Sequence, residues 1–385
     1  MSLTSQLKKA GSPVTMYIDE HFGEAIGRVQ RTRPLRSIRA STTIPAPRRL
    51  PRGAASTTAT AFGYRIRYYF ETLPDRPLAA HLGATLLAGE CFARTKGGLQ
   101  RLKRRLSMFD PPWYSDVVAL FFEELDRVLV ELKPVNRRLR PEEEETLARY
   151  CLALALFEQF YRDPRGLDIE SPIYSLRPRP TVADLLVLLP AAQVADLCAL
   201  SWGFFEAQQP LLQASAVCNP VFDGSADIKA DADLIVNDCL LELKVVKLLN
   251  LPECLRQLLG YVLLDYGDRY KIRKVAIYAA RHRYLLCFAL SKLLGSDGTE
   301  LEDRLGRMRA EFRDVVRTLE PIAMSEERGR REQPKSEPSF TEGEARLHEC
   351  MKCGATISAS SEFCQVCGAE VSGGGWYGSE DTKNE

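Results

Sequence analysis

The sequence predicts an α/β domain with a mixed sheet, set behind a large helical N-terminal block and followed by a small cysteine-closed module. Three observations predict it. Apolar residues recur at helical spacing from Thr57 to about residue 215, and the pattern shortens at Asn219 into apolar runs of strand length. Near the C-terminus, four cysteines fall into two CxxC pairs. The chain then divides into a basic, partly irregular arm (1–56), a helical block (57–217), the α/β core (218–321), a linker (322–346), the cysteine module (347–371) and a polar tail (372–385).

At 385 residues, with 45% hydrophobic and 27% charged side chains, the chain can bury a sizeable core. A net charge of +1 says nothing about an anionic partner, so local charge has to be read. Met1 to Phe70 holds twelve Lys and Arg against Asp19, Glu20 and Glu24, which suits either phosphate contact or a solvated arm. The start lacks the apolar run of a secretory signal, and the apolar stretch 183–205 is broken by Asp184, Pro190 and Asp196. Seven cysteines outside the terminal cluster are scattered among apolar neighbours, as expected of free thiols in a reducing compartment. A cytoplasmic protein with no membrane partner is expected.

Taken in order, Val14 to Val29 is expected to hold one or two strands, and Pro45 to Gly53 a loop. A helix carries Phe62, Ile66, Tyr69 and Phe70, with Arg65 and Arg67 on its flanks. Others are expected at 78–94, 110–132 and 141–161, the last with Glu142 to Glu145 in its first turn, where the helix dipole favours acids. Thr181-Val-Ala-Asp184 reads as a cap and first turn. Arg101, Lys103, Arg104 and Arg105 form a charged cluster that is either a solvated face or a phosphate contact. Beyond Asn219 the expected order is a strand at 221–228, a hairpin, a helix from Leu251, a strand at 274–280, and helices at 283–294 and 300–319.

The hairpin carries the chemistry. Asn237-Asp238 suits a two-residue turn between apolar runs. Pairing outward places Val236 opposite Cys239, Ile235 opposite Leu240, Leu234 opposite Leu241 and Asp233 opposite Glu242. With a period of two, Asp233, Glu242 and Lys244 share one face. Two carboxylates about 5 Å apart at Cβ repel unless a cation stands between them. A lysine and a hard divalent ion fill that role, and these parts suit metal-assisted phosphodiester hydrolysis. The plain alternative is a surface salt-bridge ladder. His21, His81 and His282 join no such group, and no Walker-type phosphate loop is present.

Cys350, Cys353, Cys364 and Cys367 give C-x2-C-x10-C-x2-C, each pair followed by Gly. That spacing suits a closed, structural Zn²⁺ site folding around its metal; a redox dithiol or disulfides are the alternatives. The module resembles a zinc ribbon, used for nucleic-acid or protein contacts.

Asp233, eight intervening residues and then Glu242-Leu243-Lys244 resemble the signature of the PD-(D/E)XK nuclease superfamily. Gln257-Leu-Leu-Gly-Tyr261 resembles the Q-x-x-x-Y motif of its RecB-like branch, and Gly224-Ser-Ala-Asp227 the glycine-containing strand upstream. The resemblance covers about Cys218 to Leu290 and implies a restriction-endonuclease-like αβββαβ core. It also implies Mg²⁺ or Mn²⁺ held by Asp233 and Glu242, Lys244 as catalytic lysine, and Gln257 and Tyr261 supporting the site or touching the nucleic-acid backbone. Asp231 could replace or assist Asp233. The implied activity is hydrolysis of DNA leaving a 5′-phosphate. The alternative is an inactive nuclease-fold protein that binds nucleic acid or protein through its zinc ribbon and basic arm.

Overall fold

The computed structural model describes residues 2–32, 43–47, 53–71, 114–162, 181–319, 347–349 and 356–358. Residues 1–322 form one compact unit and 323–385 another. The helical block and the α/β core, expected as separate domains, therefore fall within one unit.

In that unit a five-stranded sheet lies between two layers of helices. β1 (Ala216–Cys218), β2 (Leu234–Val236), β3 (Cys239–Lys244), β4 (Lys274–Ala279) and β5 (Tyr284–Ala289) stand in chain order across it. All neighbours are antiparallel except β3 and β4, which run parallel. A parallel pair needs a crossover, here the helix Leu251–Leu264. Asn250 accepts from Glu253 N–H at that helix's start, and Pro252 occupies its first turn. β4 is almost wholly apolar because both of its faces are covered.

On one face Leu234, Val236, Leu241, Val245, Ala276 and Tyr278 meet a helical layer. That layer comprises α1 (Ala54–Phe70), α2 (Tyr114–Leu132), α3 (Pro141–Arg162), α4 (Val182–Val187) and α5 (Ala191–Ala207). The expected cap at Thr181 is present as a capping box with Asp184. Arg65, expected on a helix flank, is fully buried and holds Glu144 through Nε–Oε1 at 2.7 Å and Nη2–Oε2 at 2.8 Å. On the other face Ile235, Leu240, Val275, Ile277 and Leu286 pack against the crossover helix, the long helix Gly298–Arg317 and the N-terminal helices Leu3–Lys8 and Pro13–Thr32.

Three local expectations are corrected. Residues 13–32 are helical, not strands in an irregular arm. The β-branched run misleads locally, but Pro13 is suited to a first helical position, and Val14, Ile18, Phe22, Ala25 and Ile26 make one buried stripe. The strand expected at 221–228 lies instead at 216–218, and residues 223–226 form a 3₁₀ turn. Gly224 lets that turn pack closely: a Cβ would stand 2.5 Å from Leu264 Cδ2 and 2.8 Å from Tyr266 Cζ, so these side chains would have to shift. Residues 284–289 are a strand, not the start of a helix. Arg283 turns the chain at φ +53°, and a short fully apolar run carries no period to separate the two structures.

The expected helix at 78–94, the basic cluster 101–105 and all four terminal CxxC cysteines lie outside the described residues. In the second unit, Leu347–Glu349 and Thr356–Ser358 pair antiparallel, and Cys350 and Cys353 fall in the sequence between them. No helix among the described residues is long and apolar enough to cross a membrane.

Candidate active site

The hairpin forms in the expected register, Leu234 to Leu241, Ile235 to Leu240 and Val236 to Cys239. Asn237 takes φ +54° in the turn, a conformation its short polar side chain tolerates. With that register fixed, Asp233, just before β2, meets β3 side-on. Its Oδ2 accepts from Leu243 N–H at 2.7 Å.

Glu242 and Lys244 lie two apart on β3, on the face toward the crossover helix. Lys244 Nζ donates to Glu242 Oε1 at 2.6 Å and to Gln257 Oε1 at 3.1 Å. Gln257 Nε2 donates to the Tyr261 hydroxyl at 2.7 Å, which donates to the Asp231 carbonyl at 2.7 Å. One helical turn thus links the lysine to the segment entering β2. All five of the expected catalytic residues, Asp233, Glu242, Lys244, Gln257 and Tyr261, converge. Tyr261 is 1% exposed, so it braces the site instead of reaching a ligand. Asp231 is exposed and contributes its backbone carbonyl.

Burial decides between a solvated ladder and a site. Glu242 is 5% exposed, so the surface-ladder reading does not hold. Its Oε2 is buried with no hydrogen-bond partner. A buried carboxylate oxygen left unpaired costs more than a surface salt bridge returns. Burial, and then the Asp233 charge, push the Glu242 carboxyl up to about 8, with Lys244 opposing. Burial also raises Asp233, against the Leu243 N–H and the charges of Lys244 and Arg67. Burial alone would pull the Lys244 ammonium down, but Glu242's charge and hydrogen bond more than offset it, leaving it raised.

Two charged residues of the opposite layer, Arg67 on α1 and Glu158 on α3, also act on Asp233. The Tyr64 hydroxyl donates to Glu158. Sequence reasoning placed Arg67 only on a helix flank and did not single out Glu158. Nothing in their local patterns points to a strand so far along the chain.

The described residues hold no group of three or more His, Cys, Asp and Glu side chains suited to one ion. The acidic site is a pair. A pair nonetheless fits a hard ion such as Mg²⁺, which takes one or two carboxylates and fills its remaining positions with water or phosphate oxygen. The Glu242 Oε2 is a buried acceptor without a hydrogen-bond partner.

The chain matches no family model, no curated protein and no solved structure.

Proposed function

We propose that the protein is a Mg²⁺-dependent nuclease (Mn²⁺ substituting) that hydrolyses phosphodiester bonds of DNA at the Asp233/Glu242/Lys244 site. The observation that carries this reading is the buried, unpaired Oε2 of Glu242 beside a second carboxylate and a tethered lysine. Asp233 and Glu242 would hold the ion. When bound, the ion supplies a Lewis acid and lowers the pKa of water. Gln257 and Glu242 hold the Lys244 ammonium in place, where it can activate water or stabilise charge developing on a phosphoryl oxygen. Tyr261 fixes Gln257.

The element order supports the same reading. Three antiparallel strands, a crossover helix and a fourth strand parallel to the third follow the αβββαβ order implied by the PD-(D/E)XK resemblance. We assign Cys350, Cys353, Cys364 and Cys367 to one structural Zn²⁺ in a terminal ribbon, a place for nucleic-acid or protein contact. That assignment rests on their spacing and on the short hairpin around the first pair.

The test uses the full-length protein with linear or single-stranded DNA and Mg²⁺ or Mn²⁺. Cleavage is expected from the wild type and not from Lys244→Ala. Equal cleavage by the two proteins, or none by the wild type, rejects the proposal.

A further inference from the structure

We infer that the DNA this site takes is single-stranded and that loop 245–250 is the lip that receives it. Lys247 meets a phosphate near the scissile one, and Leu248 packs on an unstacked base. The inference rests on the nuclease reading above and names the substrate class which that reading leaves open.

The loop leaves the site directly. Lys244 ends β3. At no more than about 3.6 Å per residue, the Cα atoms of Lys247 and Leu248 lie within about 11 and 14 Å of the Lys244 Cα. Lys244 stands beside Ala279 at the carboxyl ends of the parallel pair β3 and β4, the end of an open α/β sheet where ligands bind. Both ends of the loop are anchored. Val245 packs against one helical layer, Leu249 against the other, and Asn250 caps the crossover helix. Its middle is held as well, because His282 Nε2 donates to the Lys247 carbonyl at 2.9 Å. His282 belongs to the turn Ala280–His282 after β4. That turn is fixed by Arg281, which holds the buried Asp196 through Nη2–Oδ2 at 2.7 Å.

This anchored loop nonetheless presents apolar side chains to water. Val246 is 41% exposed and Leu248 91%. Between them Lys247 is exposed, and its ammonium makes no ion pair among the described residues. A leucine exposed singly needs no explanation. Two exposed apolar side chains around an unpaired cation, on a held loop three residues from Lys244, do. A nucleic-acid strand offers a partner to each: phosphate for the ammonium, and a base face for the leucine, a residue type that inserts between base steps. Glu242, at 5% exposed, lies below the surface, so the scissile phosphate has to turn inward to reach it. A single strand can turn a phosphate inward and splay a base; a duplex has to bend and unstack to do the same.

The experiment measures fluorescence anisotropy with the full-length protein and Ca²⁺ over a salt series. One labelled oligonucleotide is used as a single strand, as its duplex, and as a strand of abasic sites. The single strand is expected to bind about tenfold or more tightly than the duplex. Leu248→Ser is expected to weaken single-strand binding about fivefold and Leu248→Phe to restore it, while the abasic strand binds wild type and Leu248→Ser alike. Lys247→Gln is expected to lower the salt slope by about 0.7, the loss of one phosphate contact. Both side chains are exposed, so the urea midpoints of these variants are expected to match the wild type, separating lost binding from lost folding. Duplex binding as tight as single-strand binding overturns the inference. So does Leu248→Ser binding the single strand like the wild type, or an unchanged slope in Lys247→Gln. Any of these with wild-type cleavage intact rejects this inference alone. A wild type that neither binds nor cleaves any of the DNAs rejects both readings.

Discussion

Replacing Glu242 by Gln tests the site through stability and needs no substrate. The ordinary carboxyl value of 4.5 rises to about 8 in the folded protein. At about 1.4 kcal/mol per pH unit, keeping Glu242 ionised costs the metal-free fold roughly 4–5 kcal/mol. Because the folded value lies above the unfolded one, the native state binds the extra proton between these limits. Wild-type stability is therefore full below about pH 4.5 and falls as pH rises toward 8. Glu242→Gln has no such proton. It keeps an oxygen to accept from Lys244 and puts an amide where Oε2 is unpaired. Some of the gain is lost because Lys244 then faces a neutral partner. In EDTA at pH 8.5 the variant is expected to exceed the wild type by about 2–4 kcal/mol, the gap closing toward pH 5. Urea unfolding at several pH values measures this. Added Mn²⁺ is expected to reverse the order, since an ion at a hundred times its Kd stabilises the wild type by about 2.7 kcal/mol and the variant by little. Parallel pH curves in EDTA, or equal stabilisation of both proteins by Mn²⁺, would refute the reasoning.

Other expectations follow from contacts of the same kind. Gln257→Leu unties Lys244 from the crossover helix and removes the donor to Tyr261; cleavage should fall at least tenfold, with about 1–2 kcal/mol lost in urea unfolding. Arg65→Ala leaves Glu144 buried without its guanidinium and should cost about 3–5 kcal/mol, whereas Arg65→Met with Glu144→Leu should recover most of it. Elemental analysis should find one Zn²⁺ per chain, lost in Cys353→Ser, with the thermal transition of residues 1–322 unchanged because the cysteines lie in the other compact unit.

Local features were legible in the sequence. A two-residue turn between period-two runs allows one register, so Asp233, Glu242 and Lys244 could be placed on one face before any tertiary contact was known. The spacing of Gln257 and Tyr261 likewise put them on one side of a helix, where they bond to each other. The same local reasoning failed where a short run suits two structures, as at Tyr284–Ala289, or where β-branched residues sit on a helical stripe, as at Val14–Ile18. Charge state and partnership were never local properties. Whether Glu242 is a surface acid or a buried one with an oxygen left unpaired depends on the layers that remove water from it. Those layers come from the crossover helix and the sheet together. Arg67 acts on Asp233 from a helix far upstream, and no spacing rule connects the two. The chain by itself determined which side chains share the hairpin face. Only the tertiary structure decided that Glu242 on this face is buried while Lys244 stays half-exposed, because desolvation is set by everything packed around a group and not by its neighbours in sequence.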